Sequence, residues 1–384
     1  MGVRQEDWRE MRAMYSADQE SRKEIEERYG REDKRSAPLQ VRMVDGGMVL
    51  PGQGRAGGVL DAAGKFVEES AYASRDICLW GGAYEYLEEE VERREETVIF
   101  AGQLQRHWGN FLFDCLARMW YPLREKRYRI VYCNLDLPEE DLRDSGKNYR
   151  QVLALMGIRT ERVEEIKKPT VFGRVLIPEL AVFPGEFYSE ELREIYDRIV
   201  KCVEEQYEYP FYDRIYLTRT RMNGKKELGE EILEKVFADN GYKVIAPETL
   251  SVAEQVWLFG HCKVFASIEG TTSHNIVFAK PGTAHIVLRK QSYVNTRQIL
   301  FDRMRGIEPV YIDVFYEPYR GFPLSHDSGP FWVGVTKEMA EWAEETGVIC
   351  GGSSGGKIGD IVAFLGNFLL YSAKCLYYKY VLRR

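Results

Sequence analysis

Between Arg214 and Val314 the sequence alternates apolar runs of strand length with amphipathic runs of helix length, and the connections are short. RIYLTR (214–219), YKVIAPE (242–248), KVFAS (263–267), AHIVLR (284–289) and PVYIDV (309–314) read as strands. KELGEEILEKVFADNG (226–241), SVAEQVWLFG (251–260), TTSHNIVFAK (271–280) and NTRQILFDRMRG (295–306) read as helices. Asn240-Gly241 closes the first of these, and Pro281-Gly282 stops the third. Ser251 with Glu254 three residues on has the spacing of a capping box. Such alternation leaves few options: a mostly parallel sheet with right-handed crossovers.

A looser alternation precedes it. TVIFAG (97–102), YRIVYCN (128–134) and VFGRVLIPE (171–179) read as strands. HWGNFLFDCLARMWYPL (107–123) has helical spacing of Trp108, Phe111, Leu112, Cys115, Leu116 and Met119. NYRQVLALMG (148–157) is a second helix, and SEELREIYDRIVKCVEEQ (189–206), with Ser189 at its cap, leads into the second unit. The expected fold class is α/β: two Rossmann-like domains facing a cleft, with C-terminal helices. The expected divisions are a helix and loop or hairpin extension over 1–75, an α/β domain over 76–190, a Rossmann-like domain over 191–320, and helices over 321–384.

Bulk properties narrow the function. A formal net charge of −7 argues against nucleic acid as a partner. The seven cysteines include no CxxC, and several sit in apolar runs, which suits free thiols in a reducing compartment. The charged start, MGVRQEDWREMRAMYS, has no apolar core of a secretory signal. Glu6 stands where a myristoylation signal carries Ser or Thr. No stretch has the roughly 18 uncharged apolar residues of a spanning helix. The expected location is cytoplasmic. After the GGSSGG linker (351–356), the last segment carries Lys374, Lys379, Arg383 and Arg384 and no acid beyond Asp360. It reads either as a helix packed back across the domains, the preferred reading, or as a peripheral contact with the inner membrane face.

The candidate chemistry sits at strand ends, where open α/β sheets bind ligands. Arg219 and Arg221 directly follow the RIYLTR strand, and arginine matches phosphate oxygens bidentately. The competing reading is two arginines on a solvated loop. In IEGTTSHN (268–275), Gly270 lets the backbone approach a ligand. Thr271, Thr272 and Ser273 can cap a helix whose N–H groups favour an anion, and His274 and Asn275 occupy its first turn. An ordinary N-cap explains the same residues. Glu254 is either a capping-box acid or a nucleoside contact. Glu269 would repel phosphate and so points to sugar hydroxyls or a partner arginine. In the first unit His107, Asn110 and Asp114 recur at i, i+3 and i+7, on one helix face. His107 or Asp114 can take a proton from an acceptor hydroxyl; otherwise His107 is a cap and Asp114 an ion-pair partner of Arg118. The five histidines are scattered and there is no DxD, so no metal or other cofactor is expected. GQGRAGG (52–58) lacks the preceding strand of a dinucleotide fingerprint.

HWGNFLFDCLARMW (107–120), YLTR, APETLSVAEQVWLF (246–259) and IEGTTSHNIVFAKPGT (268–283) together resemble the glycosyltransferase 61 family, whose bacterial members include capsular polysaccharide biosynthesis proteins. The resemblance covers roughly residues 97–315. It implies a GT-B fold and an inverting transfer of a hexosyl or pentosyl group from a nucleotide sugar, usually UDP-linked, without a bound metal. It places the acceptor side in the first α/β domain and the donor side in the second. Carried over, Arg219 and the 269–275 turn hold the donor diphosphate and Glu254 the nucleoside side, while His107 and Asp114 match polar positions of the N-terminal motif. The partners implied are the nucleotide-sugar donor and a glycan or lipid-linked glycan acceptor. Asn110 stands where many members have His, which opens the identity of the base. Glu269 stands where many eukaryotic members have His. A non-catalytic sugar-nucleotide-binding scaffold and a GT-B-shaped nucleotide-sugar epimerase are the alternatives.

Overall fold

The computed structural model describes residues 14–31, 33–74, 77–135, 142, 147–222, 227–316 and 329–350, with eight positions between 362 and 373. The chain forms two compact units. A C-terminal unit gathers residues 1–31, 209–250 and 258–384, and an N-terminal unit gathers 32–208 and 251–257. Residues 14–31, grouped by the sequence with the stretch up to 75, thus fold with the C-terminal unit. The Glu190–Gln206 helix belongs to the N-terminal unit.

The C-terminal unit is built on a six-stranded, wholly parallel sheet. Its spatial order is Met14–Tyr15, Val310–Asp313, Ala284–Arg289, Val264–Ile268, Arg214–Leu217, Lys243–Ile245. Numbered along the chain from Arg214, the five inner and far-edge strands run 2-1-3-4-5, a doubly wound order. Ile215, Tyr216, Leu217, Phe265, Ala266, Ile286, Val287 and Leu288 are fully buried. That is why these strands read as continuous apolar runs: a parallel sheet covered on both faces has no solvent side. Strand order reverses between Arg214–Leu217 and Val264–Ile268, so their C-terminal ends form the switch point. Tyr15, from the added edge strand, is itself a fully buried core residue.

In the N-terminal unit, Val163–Glu165, Arg129–Asn134, Glu92–Leu104 and Thr170–Pro178 are parallel neighbours in that order. Along the chain this is 3-2-1-4, so the reversal falls between Glu92–Leu104 and Thr170–Pro178. Val41–Asp45 and the Met48–Gln53/Ala56–Leu60 hairpin extend the sheet antiparallel.

Two expected helices differ. HWGNFLFDC is a short helical start (Trp108–Asn110) opening into a wide π-type turn (Phe111–Cys115), followed by a separate helix, Trp120–Arg124. TTSHNIVFAK is a 3₁₀ segment, Ser273–Phe278. There the Thr272 and Ser273 hydroxyls donate to the Ile268 carbonyl, and Ser273 also meets Ser267 at 2.7 Å. These bonds pull the chain back onto the strand it has just left, and Pro281 leaves no length for an α-helix to develop.

Ser189 occupies the N-cap of its helix, but its buried hydroxyl makes no capping bond. The six described cysteines are free thiols; Cys115, Cys133 and Cys262 are buried. The GGSSGG linker and Lys374, Lys379, Arg383 and Arg384 lie outside the described residues. Of the last helix, Phe364 and Phe368 are buried, and Phe364 lies 6.1 Å from the Trp332 ring. Val362, Leu369 and Leu370 are exposed.

Candidate active site

In the C-terminal unit, three adjacent strands deliver their C-terminal residues to one edge. The loop after Arg214–Leu217 is pinned first. Thr218 and Thr220 donate to Glu234 at 2.6 and 2.7 Å, and the Arg219 N–H donates to the buried Glu230 at 2.8 Å. This fixes the backbone from which the Arg219 side chain projects. Its Nε lies 3.5 Å from Glu227, and among the described residues its two terminal nitrogens make no hydrogen bond. Arg221, by contrast, is exposed on the same loop.

Gly270 ends the next strand's turn at φ 138°, a backbone that side-chain-bearing residues rarely adopt. A β-carbon there would lie 3.5 Å from both Arg219 Nη1 and Lys290 Nζ. Lys290 follows the third strand, Ala284–Arg289. Its ammonium donates to Glu227 at 2.8 Å and lies 4.3 Å from the Phe331 ring centre. Neither Lys290 nor Glu227 was singled out from the sequence. Lys290 had the signal that flagged Arg219, a cation one step beyond a buried strand. Glu227 sits in KKELGEE, where nothing separates it from its neighbours.

Glu269 is buried at the same edge. Burial lifts its carboxyl to about 7; Arg289 and Lys290 pull it down, Asp313 adds to the rise, and the Asn295 N–H bonds it. Its Oε2 has no hydrogen-bond partner among the described residues. Arg289 is already matched by Asp313 at 2.7 Å. Thr272, His274 and Asn275 are buried, and Thr271 is half-buried. His274 meets Asn295 at 3.4 Å and packs edge-on to Phe301. The expected capping of an α-helix by Thr271, Thr272 and Ser273 does not form: Thr272 and Ser273 bond backward, and a six-residue 3₁₀ turn lacks the aligned dipole of an α-helix. The positive charge at this edge therefore comes from side chains.

In the N-terminal unit, the residues following Glu92–Leu104 also stand at a strand-order reversal. Asn110 donates to the Gln105 side-chain carbonyl at 2.9 Å, and the Gln105 amide donates to Asp114 at 3.4 Å. Gln105, unnoticed in the sequence, thus connects Asn110 with the buried Asp114. His107 is exposed and caps the turn, its ring Nδ1 accepting from the Asn110 N–H at 3.4 Å. The three residues do not form a uniform helix face; exposure falls from His107 through Asn110 to Asp114 as the turn widens. The expected Asp114–Arg118 ion pair is absent. Arg118 is buried and donates to the carbonyls of Glu69, Ala71 and Pro178, with burial lowering its pKa to about 10.

Glu254, in the same unit, forms the capping box: its Oε2 accepts from the Ser251 N–H at 2.8 Å and from the Ser251 hydroxyl at 2.7 Å. Among the described residues no three His, Cys, Asp or Glu side chains are grouped to hold a metal ion. Among them, too, no helix is long and apolar enough to cross a membrane.

No curated protein matches the chain. Residues 108–286 match the family model of glycosyltransferase 61. The matched segment contains Asn110, Asp114, Arg219 and the 269–275 turn; His107 lies just before it and Lys290 just after. This match supports reading the chain as a glycosyltransferase of family 61.

Proposed function

We propose that the protein is an inverting, metal-independent glycosyltransferase of GT-B type. It moves a hexosyl or pentosyl group from a UDP-sugar to a hydroxyl of a surface or capsular glycan. The observation that carries the donor reading is the convergence of Arg219 and Gly270 at the strand-order reversal of the C-terminal sheet. An arginine with uncommitted terminal nitrogens beside a glycine suits a diphosphate, which needs bidentate donors and close backbone approach. The Thr271–Asn275 turn lines the same place. Glu269, largely protonated below neutral pH, donates a hydrogen bond to a sugar hydroxyl there without repelling the phosphates.

In the reaction, the acceptor oxygen bonds to the anomeric carbon as the bond from that carbon to the diphosphate oxygen breaks. The electron pair leaves with the nucleoside diphosphate, whose charge Arg219 stabilises. The acceptor's proton passes to Asp114, held by Gln105, with His107 as the other candidate base. Glu254 meets the nucleoside through the carboxyl oxygen not used in the cap. The protein works in the cytoplasm on a glycan or lipid-linked acceptor, with peripheral membrane contact through the C-terminal helix. The exposed Val362, Leu369 and Leu370 support that contact.

The test is transfer from UDP-sugars in EDTA, with the product's anomeric configuration read by NMR. The expected product has the configuration opposite to the donor's. Asp114→Asn should lower kcat by about 10²–10⁴-fold while retaining donor binding. Retention of configuration contradicts the mechanism. Donor binding with no transfer favours a scaffold, and an epimerised nucleotide sugar favours an epimerase.

A further inference from the structure

We propose that Lys290 is a second cation for the donor diphosphate, acting with Arg219 across Gly270 and held in place by Glu227. The inference rests on the donor-site reading above.

Four observations meet here. The strands ending at residues 217, 268 and 289 are adjacent in the sheet, so Arg219, Gly270 and Lys290 reach one edge by topology rather than by flexible loops. Arg219 Nη1 and Lys290 Nζ both lie 3.5 Å from the position a Gly270 β-carbon would take, one on each strand beside it. The two cations share one buried carboxylate: Glu227 Oε1 takes Lys290 at 2.8 Å, and Oε2 faces Arg219 at 3.5 Å. Both cationic side chains retain partial exposure, 18% for Arg219 and 11% for Lys290, so a ligand reaches them.

Charge decides what that ligand is. Arg219 and Lys290 both face Glu227, while Glu230 and Glu234 accept from the Arg219 N–H and from the Thr218 and Thr220 hydroxyls. The nearby Arg289 is already balanced by Asp313. Glu269, buried and with one oxygen unpartnered, is biased toward its neutral form. Beside Gly270 the edge therefore presents two side-chain cations in a partly desolvated place, where an anion is favoured. A diphosphate presents oxygens on two phosphorus atoms and can engage a planar guanidinium and a compact ammonium at once. Phe331, under the Lys290 ammonium, and Glu227 limit where that ammonium can point. Lys290 then neutralises the charge that grows on the departing diphosphate.

The experiment measures affinity for pyrophosphate, UDP and uridine by calorimetry in EDTA. The full-length chain is compared with Lys290→Gln and Lys290→Arg, with folding checked by near-ultraviolet circular dichroism. Lys290→Gln should weaken pyrophosphate and UDP about tenfold or more and leave uridine unchanged. Lys290→Arg should restore most of the loss. Wild-type binding of pyrophosphate and UDP that Lys290→Gln leaves intact overturns the proposal and spares the donor-site reading. Lys290-dependent pyrophosphate binding without any nucleotide binding keeps the proposal as an anion site and removes the nucleotide-sugar reading. If wild type binds neither probe, both fall. Should Lys290→Gln fail to fold, Lys290→Arg decides: a folded arginine variant with no pyrophosphate or UDP affinity, beside a wild type that binds both, contradicts interchangeable cations at this point.

Discussion

Glu269 shows how a strand end sets chemistry through burial. Its folded-state pKa of about 7 exceeds the ordinary 4.5, because desolvation outweighs the attraction of Arg289 and Lys290, and Asp313 reinforces it. The folded chain therefore holds this proton more tightly than the unfolded chain. The associated stability is full below pH 4.5 and is lost as pH rises through about 7, a change of about 3 kcal/mol at most. Glu269→Gln should remove that slope. Denaturant unfolding at several pH values checks it; the same pH dependence in both chains contradicts the assignment. At this scale the sequence was partly legible. Arg219 stood out because a cation directly after a buried apolar run must project from the sheet edge. Lys290 obeys the same rule, one residue beyond the Ala284–Arg289 strand, but without a neighbouring polar cluster to mark it. Glu227 and Gln105 carried no pattern at all. Their roles arise from tertiary placement against Lys290 and Asp114, which no local period encodes.

The capping box before the Val252–His261 helix was readable because it is local: Ser251 and Glu254 satisfy each other over three residues. It also separates two roles for Glu254. Glutamine keeps the box, so Glu254→Gln should leave Tm within about 1 °C of wild type and raise the donor KM if the carboxylate meets the nucleoside. An unchanged KM restricts Glu254 to capping. The π-type turn at Phe111–Cys115 was not legible. Phe111, Leu112, Phe113, Cys115 and Leu116 are all fully buried, and their apolar spacing signals a helix without distinguishing an α-helical turn from the wider π-type one. The 3₁₀ segment at Ser273–Phe278 was hidden for a different reason. Thr272 and Ser273 are good N-caps in sequence, yet their hydroxyls find the Ile268 carbonyl first.

The two units follow the same logic, with a reversal in strand order placing each cluster of polar residues beyond the strand ends. The alternation of elements was visible along the chain, whereas strand order and the return of residues 14–31 to the C-terminal unit depend on pairing far apart in sequence. Tyr15 makes that return measurable. It is fully buried in the core cluster with Tyr216, Phe237 and Trp342. Tyr15→Ala should cost about 3–5 kcal/mol. Hydrogen exchange should show protection falling in the strands of the C-terminal unit while those of Glu92–Leu104 and Thr170–Pro178 keep theirs. Uniform loss, or none, contradicts the division. The central claim is that the C-terminal unit binds a nucleotide sugar through Arg219 without a metal. Its most direct measurement is thermal unfolding of wild type and Arg219→Ala with UDP-, GDP-, CMP- and dTDP-sugars, with and without EDTA. A ligand at about a hundred times its Kd should stabilise by about 2.7 kcal/mol. The account predicts that the UDP class raises Tm equally in EDTA and that Arg219→Ala abolishes the rise. No rise with any nucleotide sugar, or a rise that survives Arg219→Ala, contradicts it.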